Sequence, residues 1–150
     1  MKKIEKITIK RMIDENPDLD YLGKFSDKAG EYAIKHSEGS ANLYQYFNAE
    51  NVDNMKQAKE NYNRIMEYEK GNLCDYGIKA VAEIRTSQDE GNTWLINSIS
   101  SGGLWGLSSD GTEEDFIQEG SNQLEDLKDV LLELGFEKKE IEAVKVERDF

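Results

Sequence analysis

A run of about twenty residues after Thr112 places its apolar and its acidic side chains on opposite sides of a helix. At about 100° per residue, one stripe consists of Phe116, Ile117, Gly120, Leu124, Leu127, Leu131 and Leu134. The opposite side carries the carboxylates of Glu114, Asp115, Glu119, Glu125, Asp126, Asp129 and Glu133. Thr112 can cap the helix together with Asp115, and Gly135 follows its predicted end at Leu134. The pattern predicts a helix over residues 112–134 with one face on a core and the other in solvent.

One edge of this helix carries a row of acids at steps of three and four residues, with Asn122 at its one gap. The row consists of Asp115, Glu119, Asp126, Asp129 and Glu133. When Asn122 is counted, neighbouring positions of the row stand roughly 4.5–6 Å apart along the axis, a spacing comparable to that of neighbouring phosphates on one nucleic-acid strand. Like charges at this spacing destabilise a helix by roughly 0.2–0.5 kcal/mol per pair. Two interpretations stay open: a solvated face that keeps the protein soluble, and a partner-binding site made of these five residues.

Charge is concentrated in the same region. Residues 108–150 contain fourteen acidic and five basic side chains, and so carry −9 of the net charge of −12. Residues 1–12 are basic instead, at about +4. An acidic surface repels nucleic acid and anionic membranes and attracts a cationic partner. We therefore expect no direct nucleic-acid binding and no membrane binding, and a partner that is a basic protein.

The rest of the chain predicts an α+β fold in a single domain over residues 1–150. A β-branched run predicts a strand near residues 4–12, and its lysines favour a position at a sheet edge. Asp53 can cap a helix that runs to about Lys70, with Gly71 as its end. Its apolar face should pack on the sheet. Residues 21–51 look irregular, apart from an apolar patch formed by Leu43, Tyr44, Tyr46 and Phe47 that should hold a loop or a short strand on the core.

Alternating residues predict an antiparallel hairpin, with strands over 77–86 and 93–100. Three glycines around Trp105 predict a tight turn that presents the indole to the core. The tail from Lys138 can begin with a helical turn and end as a strand through Ala143, Val144 and Val146. We expect a small antiparallel sheet, made of the N-terminal strand, the hairpin and the C-terminal strand, with two amphipathic helices.

Reactive side chains are few. His36 is the only histidine and is predicted to be an exposed loop residue, and Cys74 is the only cysteine and is expected to be a small buried residue. The acids from Asp14 to Asp18 resemble the start of a calcium loop, but Leu19 stands in place of its glycine and Phe25 in place of its bidentate Glu. We expect no catalytic residues, no metal, no cofactor and no enzyme activity. The absence of a secretion signal and of a long apolar run predicts a cytoplasmic protein.

The sequence Ser-Gly-Gly-Leu-Trp-Gly occupies residues 101–106. Further characteristic segments lie at residues 13–23, 64–71, 77–84 and 124–136. Together these segments resemble a family of small acidic proteins of unknown function from bacteriophages, plasmids and integrative elements, and residues 101–106 are the most specific part of the resemblance. The resemblance implies a mobile element in a bacterial host cytoplasm, where small acidic proteins often inhibit host defence. The resemblance implies no catalytic residue in this chain.

This resemblance and the charge together suggest a non-enzymatic inhibitor of a nucleic-acid-binding host-defence protein, of anti-CRISPR or anti-restriction type. The acidic row would imitate phosphates, and the partner would be a basic protein such as a CRISPR effector. The alternative is a phage or plasmid accessory module that binds a protein through apolar contacts, at Trp105 or at the patch from Tyr44 to Phe47. Acidity would then serve solubility only.

Overall fold

The computed structural model describes residues 1–36 and 44–150, which form two compact units. The first unit comprises Met1–Glu15 and Asp75–Phe150, and the second comprises Asn16–Cys74. In chain order the elements are β1 (Lys2–Asp14), β2 (Gly23–Ser26), β3 (Ala33–Lys35), β4 (Tyr46–Ala49), α1 (Met55–Glu69), β5 (Asp75–Thr86), β6 (Leu95–Ser100), β7 (Leu104–Ser108), α2 (Glu113–Glu133), α3 (Lys138–Glu142) and β8 (Val146–Arg148). The α+β class is confirmed. The single domain over residues 1–150 stays a prediction.

A sheet of order β6-β5-β1-β8 forms the first unit, and β7 also pairs with β5. Strand β1 runs antiparallel to β5 from Lys2 opposite Thr86 to Asp14 opposite Asp75. Because β8 pairs with its other side, β1 is an interior strand and the predicted edge position is wrong. The lysines do not require an edge. Ile7 and Ile9 are buried on one face of the strand, and Lys6 and Lys10 line an open hollow on the other.

The predicted hairpin is confirmed, since β6 pairs antiparallel with β5 from Val81 opposite Ser100 to Thr86 opposite Leu95. The segment after it differs from the prediction. Residues 104–108 form β7, which pairs with the first half of β5. The Trp105 indole lies over Gly77 of β5, where a Cβ atom would approach its ring to 2.2 Å. Trp105 is 49% exposed on the sheet surface, so its predicted orientation toward the core is wrong.

Helix α2 covers one face of this sheet, as its apolar stripe predicts. Leu127 and Leu131 are buried with Ile7 of β1 and Ala82 of β5 in the largest cluster of the core. The capping box of Thr112 and Asp115 is present, and Gly135 follows the helix with a φ of 94°. Gly120 lets the helix approach the sheet closely, since a Cβ atom there would lie 2.9 Å from Ile9 Cγ2. The helix is therefore held by one face along most of its length.

The C-terminal segment follows the predicted order, with the short helix α3 and then β8. The strand begins only at Val146, because Ala143 caps α3 instead of opening the strand as predicted. Ile141 of α3 is buried in the same cluster as Leu127. Strand β8 is parallel to β1, with Ile7 opposite Val146.

The second unit has its own antiparallel sheet of order β2-β4-β3, where the sequence suggested only a loop or one short strand. Helix α1 packs on β3 and β4 of this sheet, and its Tyr62 and Ile65 meet the fully buried Phe47. The prediction that this helix packs on the hairpin sheet is therefore wrong. Its N-cap is Asn54, whose Oδ1 accepts from the N–H of Gln57 at 3.0 Å, one residue after the predicted Asp53.

His36 is not the exposed loop residue that the sequence predicted. Its ring is half-buried at the end of β3, and lies edge-on to Phe25 at 5.0 Å between ring centres. Its Nδ1 lies 2.9 Å from the Tyr62 hydroxyl. Its apolar ring atoms therefore belong to the core of the second unit. Cys74 is half-buried.

Candidate protein-binding surface

The acidic row of α2 points outward because the opposite side of the helix is buried. Five of its residues lie in the core: Phe116, Gly120, Gln123, Leu127 and Leu131. The packing of a helix by one face fixes the rotation of the helix about its axis, and with it the direction of every other side chain. The five predicted site residues therefore share one side of α2.

The first two members of the row have partners within α2 itself. Asp115 belongs to the capping box, in which its carboxylate accepts from the Thr112 N–H at 3.4 Å. Glu119 is half-buried, and its carboxylate accepts from the Gln123 amide at 2.9 Å and from the Asn122 amide at 3.3 Å. These hydrogen bonds hold both carboxylates in place.

The other three members, Asp126, Asp129 and Glu133, are exposed. Among the ion pairs that residues 1–36 and 44–150 form, none involves these three carboxylates. The one base on the helix, Lys128, pairs instead with Glu125 at 3.3 Å. The second half of α2 thus presents a group of anions available to a partner.

A buried hydrogen-bond network behind the row was not predicted from the sequence. Gln123 is only 5% exposed, and its Oε1 accepts from the Ser101 hydroxyl at 2.7 Å and from the Gly103 N–H at 3.0 Å. The Ser101 oxygen in turn accepts from the Ala80 N–H of β5 at 3.0 Å. The network joins Glu119 to the Ser-Gly-Gly segment and to the sheet. A glutamine beside the apolar stripe of an amphipathic helix was the signal that could have indicated it.

Basic residues of β1 hold the two ends of α2. Lys2 Nζ donates to the Leu134 carbonyl at 2.9 Å and lies 4.9 Å from the centre of the Phe136 ring. At the other end of the helix, the Arg11 guanidinium pairs with Glu113 at 3.5 Å. It also lies within about 5 Å of three aromatic rings, those of Tyr76, Phe116 and Phe150. These two bases stabilise the helix, and a cation at its C-terminal end also suits the helix dipole.

A second surface of the first unit has the opposite character. Residues 91–109 include no charged side chain, although a third of the whole chain is charged. This segment contains β6 and β7, where Leu95 is 64% and Ile96 is 56% exposed. We call β6 with its exposed Leu95 and Ile96 the uncharged edge. The run without charge was readable from the sequence, and it is the signal that the prediction missed.

The loop before the uncharged edge is ordered by Asp89. Its Oδ1 accepts from the Thr93 N–H at 2.7 Å and from the Ser87 hydroxyl at 2.9 Å. Hydrogen bonds lower the pKa of the Asp89 carboxyl below its ordinary value, and those from Thr93 contribute more than the one from Ser87. Ser87 also accepts from the Gly91 N–H at 2.9 Å. Hydrogen bonds thus connect Asp89 and Ser87 with the backbone of Gly91 and Thr93 in this loop.

The members of the apolar patch predicted at residues 43–47 differ in their exposure. Tyr44 is 51% exposed, whereas Phe47 is completely buried in the core of the second unit. Leu43 lies outside the described residues. Phe47 is therefore unavailable to a partner.

Within the described ranges, no three or more His, Cys, Asp and Glu side chains are grouped so that they could hold a metal ion. The same part of the chain contains no helix with the length and apolarity that crossing a membrane requires. Comparison of the chain with protein-family models, curated proteins and solved structures gives no match.

Proposed function

We propose that this protein is a non-enzymatic inhibitor that binds a nucleic-acid-handling protein of bacterial defence, of anti-CRISPR or anti-restriction type. The acidic row of α2 would occupy the place of phosphates on that partner. The observation that supports the proposal is the group of Asp126, Asp129 and Glu133. These carboxylates are exposed, and no described base pairs with them.

The helix provides the rigidity that such a mimic requires. Arg and Lys form their strongest hydrogen bonds with anions, and Arg prefers planar carboxylates or phosphates in a fixed orientation. Since α2 is packed along one face and held at both ends by Lys2 and Arg11, little backbone ordering is needed on binding. Binding energy would then come from the charge pairs, and the complex should weaken steeply with salt.

The cellular setting of the proposal comes from the resemblance of residues 101–106 and the other segments to mobile-element proteins. A protein that acts on a defence system would work in the cytoplasm of the bacterial host. Its partner would be a basic protein such as a CRISPR effector. The inhibitor itself would contact neither nucleic acid nor membrane.

Affinity capture from a bacterial lysate tests the proposal. The bait proteins are the wild type and a double variant, Asp126→Lys with Asp129→Lys, and the captured proteins are identified by mass spectrometry. We expect the wild type to retain a nucleic-acid-binding protein at low salt and to release it on addition of salt or duplex DNA. The double variant should not retain it. In cells, the wild type should protect an invading plasmid from an active CRISPR or restriction system.

The matched control is Glu31→Lys with Glu60→Lys, which changes the net charge equally at two exposed acids of the second unit. This control should bind like the wild type. Equal binding by a correctly folded Asp126→Lys/Asp129→Lys protein would refute the proposal. Circular dichroism of both variants shows whether α2 and α1 remain helical.

A second candidate function rests on the half-exposed Trp105 indole. The protein would then be a phage or plasmid accessory module that binds its partner by apolar contacts, with the acids serving solubility. Capture that persists at high salt, survives the two charge reversals and is lost in Trp105→Ala would favour this function.

A further inference from the structure

Strand β6 is an edge strand with one side unpaired. Its pairing with β5 is regular over six residue pairs, from Val81 opposite Ser100 to Thr86 opposite Leu95. In residues 1–36 and 44–150, no strand pairs with the other side of β6. Alternate residues of a strand direct their N–H and C=O groups to opposite sides, so half of these groups in β6 point away from the sheet.

The two edges of this sheet differ in their protection. Natural edge strands are made unattractive to other strands by short length, charged side chains, proline or bulges. The opposite edge, β8, is three residues long and includes Glu147 and Arg148. Strand β6 has the sequence Leu-Ile-Asn-Ser-Ile-Ser, without charge, proline or bulge. Leu95 and Ile96 are also more than half exposed. These features are typical of an edge that pairs with another strand.

The lack of charge on β6 favours a second copy of this chain as the partner. Two molecules with a net charge of −12 repel each other, and the repulsion at contact is smallest where charged side chains are absent. Residues 91–109 are such a segment. A basic partner would find no acid on β6 to recognise, whereas a second copy would offer an equally uncharged strand. Antiparallel pairing of a strand with its own copy also gives the twofold symmetry of most homodimers.

We propose that β6 pairs antiparallel with β6 of a second copy, centred on Asn97, so that the two sheets become continuous. In such a pair the twofold axis is perpendicular to the sheet. The face that α2 covers therefore lies on the same side of the joined sheet in both copies. Leu95 then lies opposite Ile99 of the second copy, and Asn97 lies opposite Asn97. Ile99 already packs against the core under α2, so Leu95 would extend that apolar layer. A register centred on Ser98 would instead place Leu95 opposite Ser101, whose hydroxyl is buried and hydrogen-bonded.

Disulfide trapping tests the register. In an antiparallel pair, the Cα atoms of directly opposite residues lie about 4.5–5.5 Å apart, within the range of about 4.4–6.8 Å that a disulfide allows. Asn97→Cys, made in a Cys74→Ser background, should therefore give a covalent dimer on mild oxidation. Leu95→Cys in the same background is the control, since two residues at position 95 would be separated by roughly 13 Å along the strands. It should remain monomeric on a non-reducing gel.

Sedimentation equilibrium of the unmodified protein tests the association itself. One pair of short strands is a small interface, so we expect a dimer that dissociates on dilution. Leu95→Glu should weaken this dimer by tenfold or more. Ile13→Glu adds the same charge at a residue of β1 that is equally exposed, 62% against 64%, and should dimerise like the wild type.

Three outcomes would overturn this proposal, which does not depend on the proposed function. They are a monomer at all concentrations, equal cross-linking at positions 95 and 97, and an unchanged dimer in Leu95→Glu. Circular dichroism of each variant confirms that the first unit is folded.

Discussion

The acidic row of α2 and the uncharged edge belong to the same unit but suit different partners. The row presents Asp126, Asp129 and Glu133 on a helix held from behind, and its binding would be sensitive to salt. The edge presents backbone groups beside Leu95 and Ile96, and its binding would depend on strand register and apolar contact. The difference shows that a strongly negative net charge describes only part of this surface. Self-association and partner binding can therefore be separated by experiment.

The largest expected effect is on the free energy of unfolding, through the core that holds α2 and its acidic row in place. Leu127→Ala removes a side chain that is completely buried between α2 and the sheet. It should reduce the free energy of unfolding by about 2–5 kcal/mol, because it leaves a cavity. The neighbouring Asp126→Ala should change it by less than about 0.5 kcal/mol. Urea denaturation of both variants checks whether the two faces of α2 differ in this way.

The next largest effect on the free energy of unfolding is expected from the hydrogen-bond network behind the acidic row. Gln123→Leu removes the acceptor of both the Ser101 hydroxyl and the Gly103 N–H. Since these groups would be left without a partner, we expect a loss of about 1–3 kcal/mol in unfolding free energy. Gln118→Leu, at an exposed position of the same helix, is the control and should have little effect. Equal effects of the two substitutions would contradict the role of the network.

Salt should affect the two kinds of binding differently. Raising the salt concentration should weaken partner capture through the acidic row by tenfold or more, about 1.4 kcal/mol. Dimerisation through the uncharged edge should be unchanged or strengthened, because salt screens the repulsion between two acidic molecules. Sedimentation and capture in parallel salt series measure both. If salt weakened capture and dimerisation to the same extent, one surface would serve both interactions.

A smaller effect is expected when charge is removed from the second half of the row. Asp129 and Glu133 are like charges one helical turn apart near the C-terminal end of α2. Asp129→Asn should therefore raise the unfolding free energy by roughly 0.2–0.5 kcal/mol at low salt. Glu114→Gln, in the first turn, should lower it by a similar amount. A stabilising substitution that weakens partner capture would indicate that the charge is retained for binding.

The smallest expected effect concerns the loop before the uncharged edge. Hydrogen bonds from Thr93 and Ser87 lower the pKa of Asp89 in the folded protein. A carboxyl whose pKa is lowered on folding stabilises the fold above its unfolded pKa, and that contribution is lost as the pH falls through the folded pKa. We expect a chemical-shift titration of Asp89 to have its midpoint below the ordinary range of aspartate. Asp89→Asn should remove the acid dependence of the loop.

The elements that the sequence predicted are those with long, regular patterns. The stripe from Phe116 to Leu131 and the alternation in β5 each span several turns or residue pairs, so their burial follows from the pattern alone. Strands β2 and β3 are four and three residues long, too short to show any period. Their arrangement depends on contacts with Phe47 across the sheet.

The site could be predicted only in part. The outward direction of Asp126 and Asp129 follows from the helical period, whereas the pairing of Glu119 with Gln123 depends on Ser101, which is distant in the sequence. The interior position of β1 was unpredictable for a similar reason, since it depends on β8 returning from the far end of the chain.

The placement of the two indoles gives the first unit its own optical signal. Both tryptophans lie in the first unit, Trp94 directly before β6 and Trp105 in β7, and six of the seven tyrosines lie in the second. Fluorescence excited at the red edge of indole absorption therefore follows the first unit alone, whereas far-ultraviolet dichroism follows α1 and α2 together. Melting curves that coincide in both signals would mean that the chain unfolds as one cooperative body, and curves that separate would give each unit its own transition temperature.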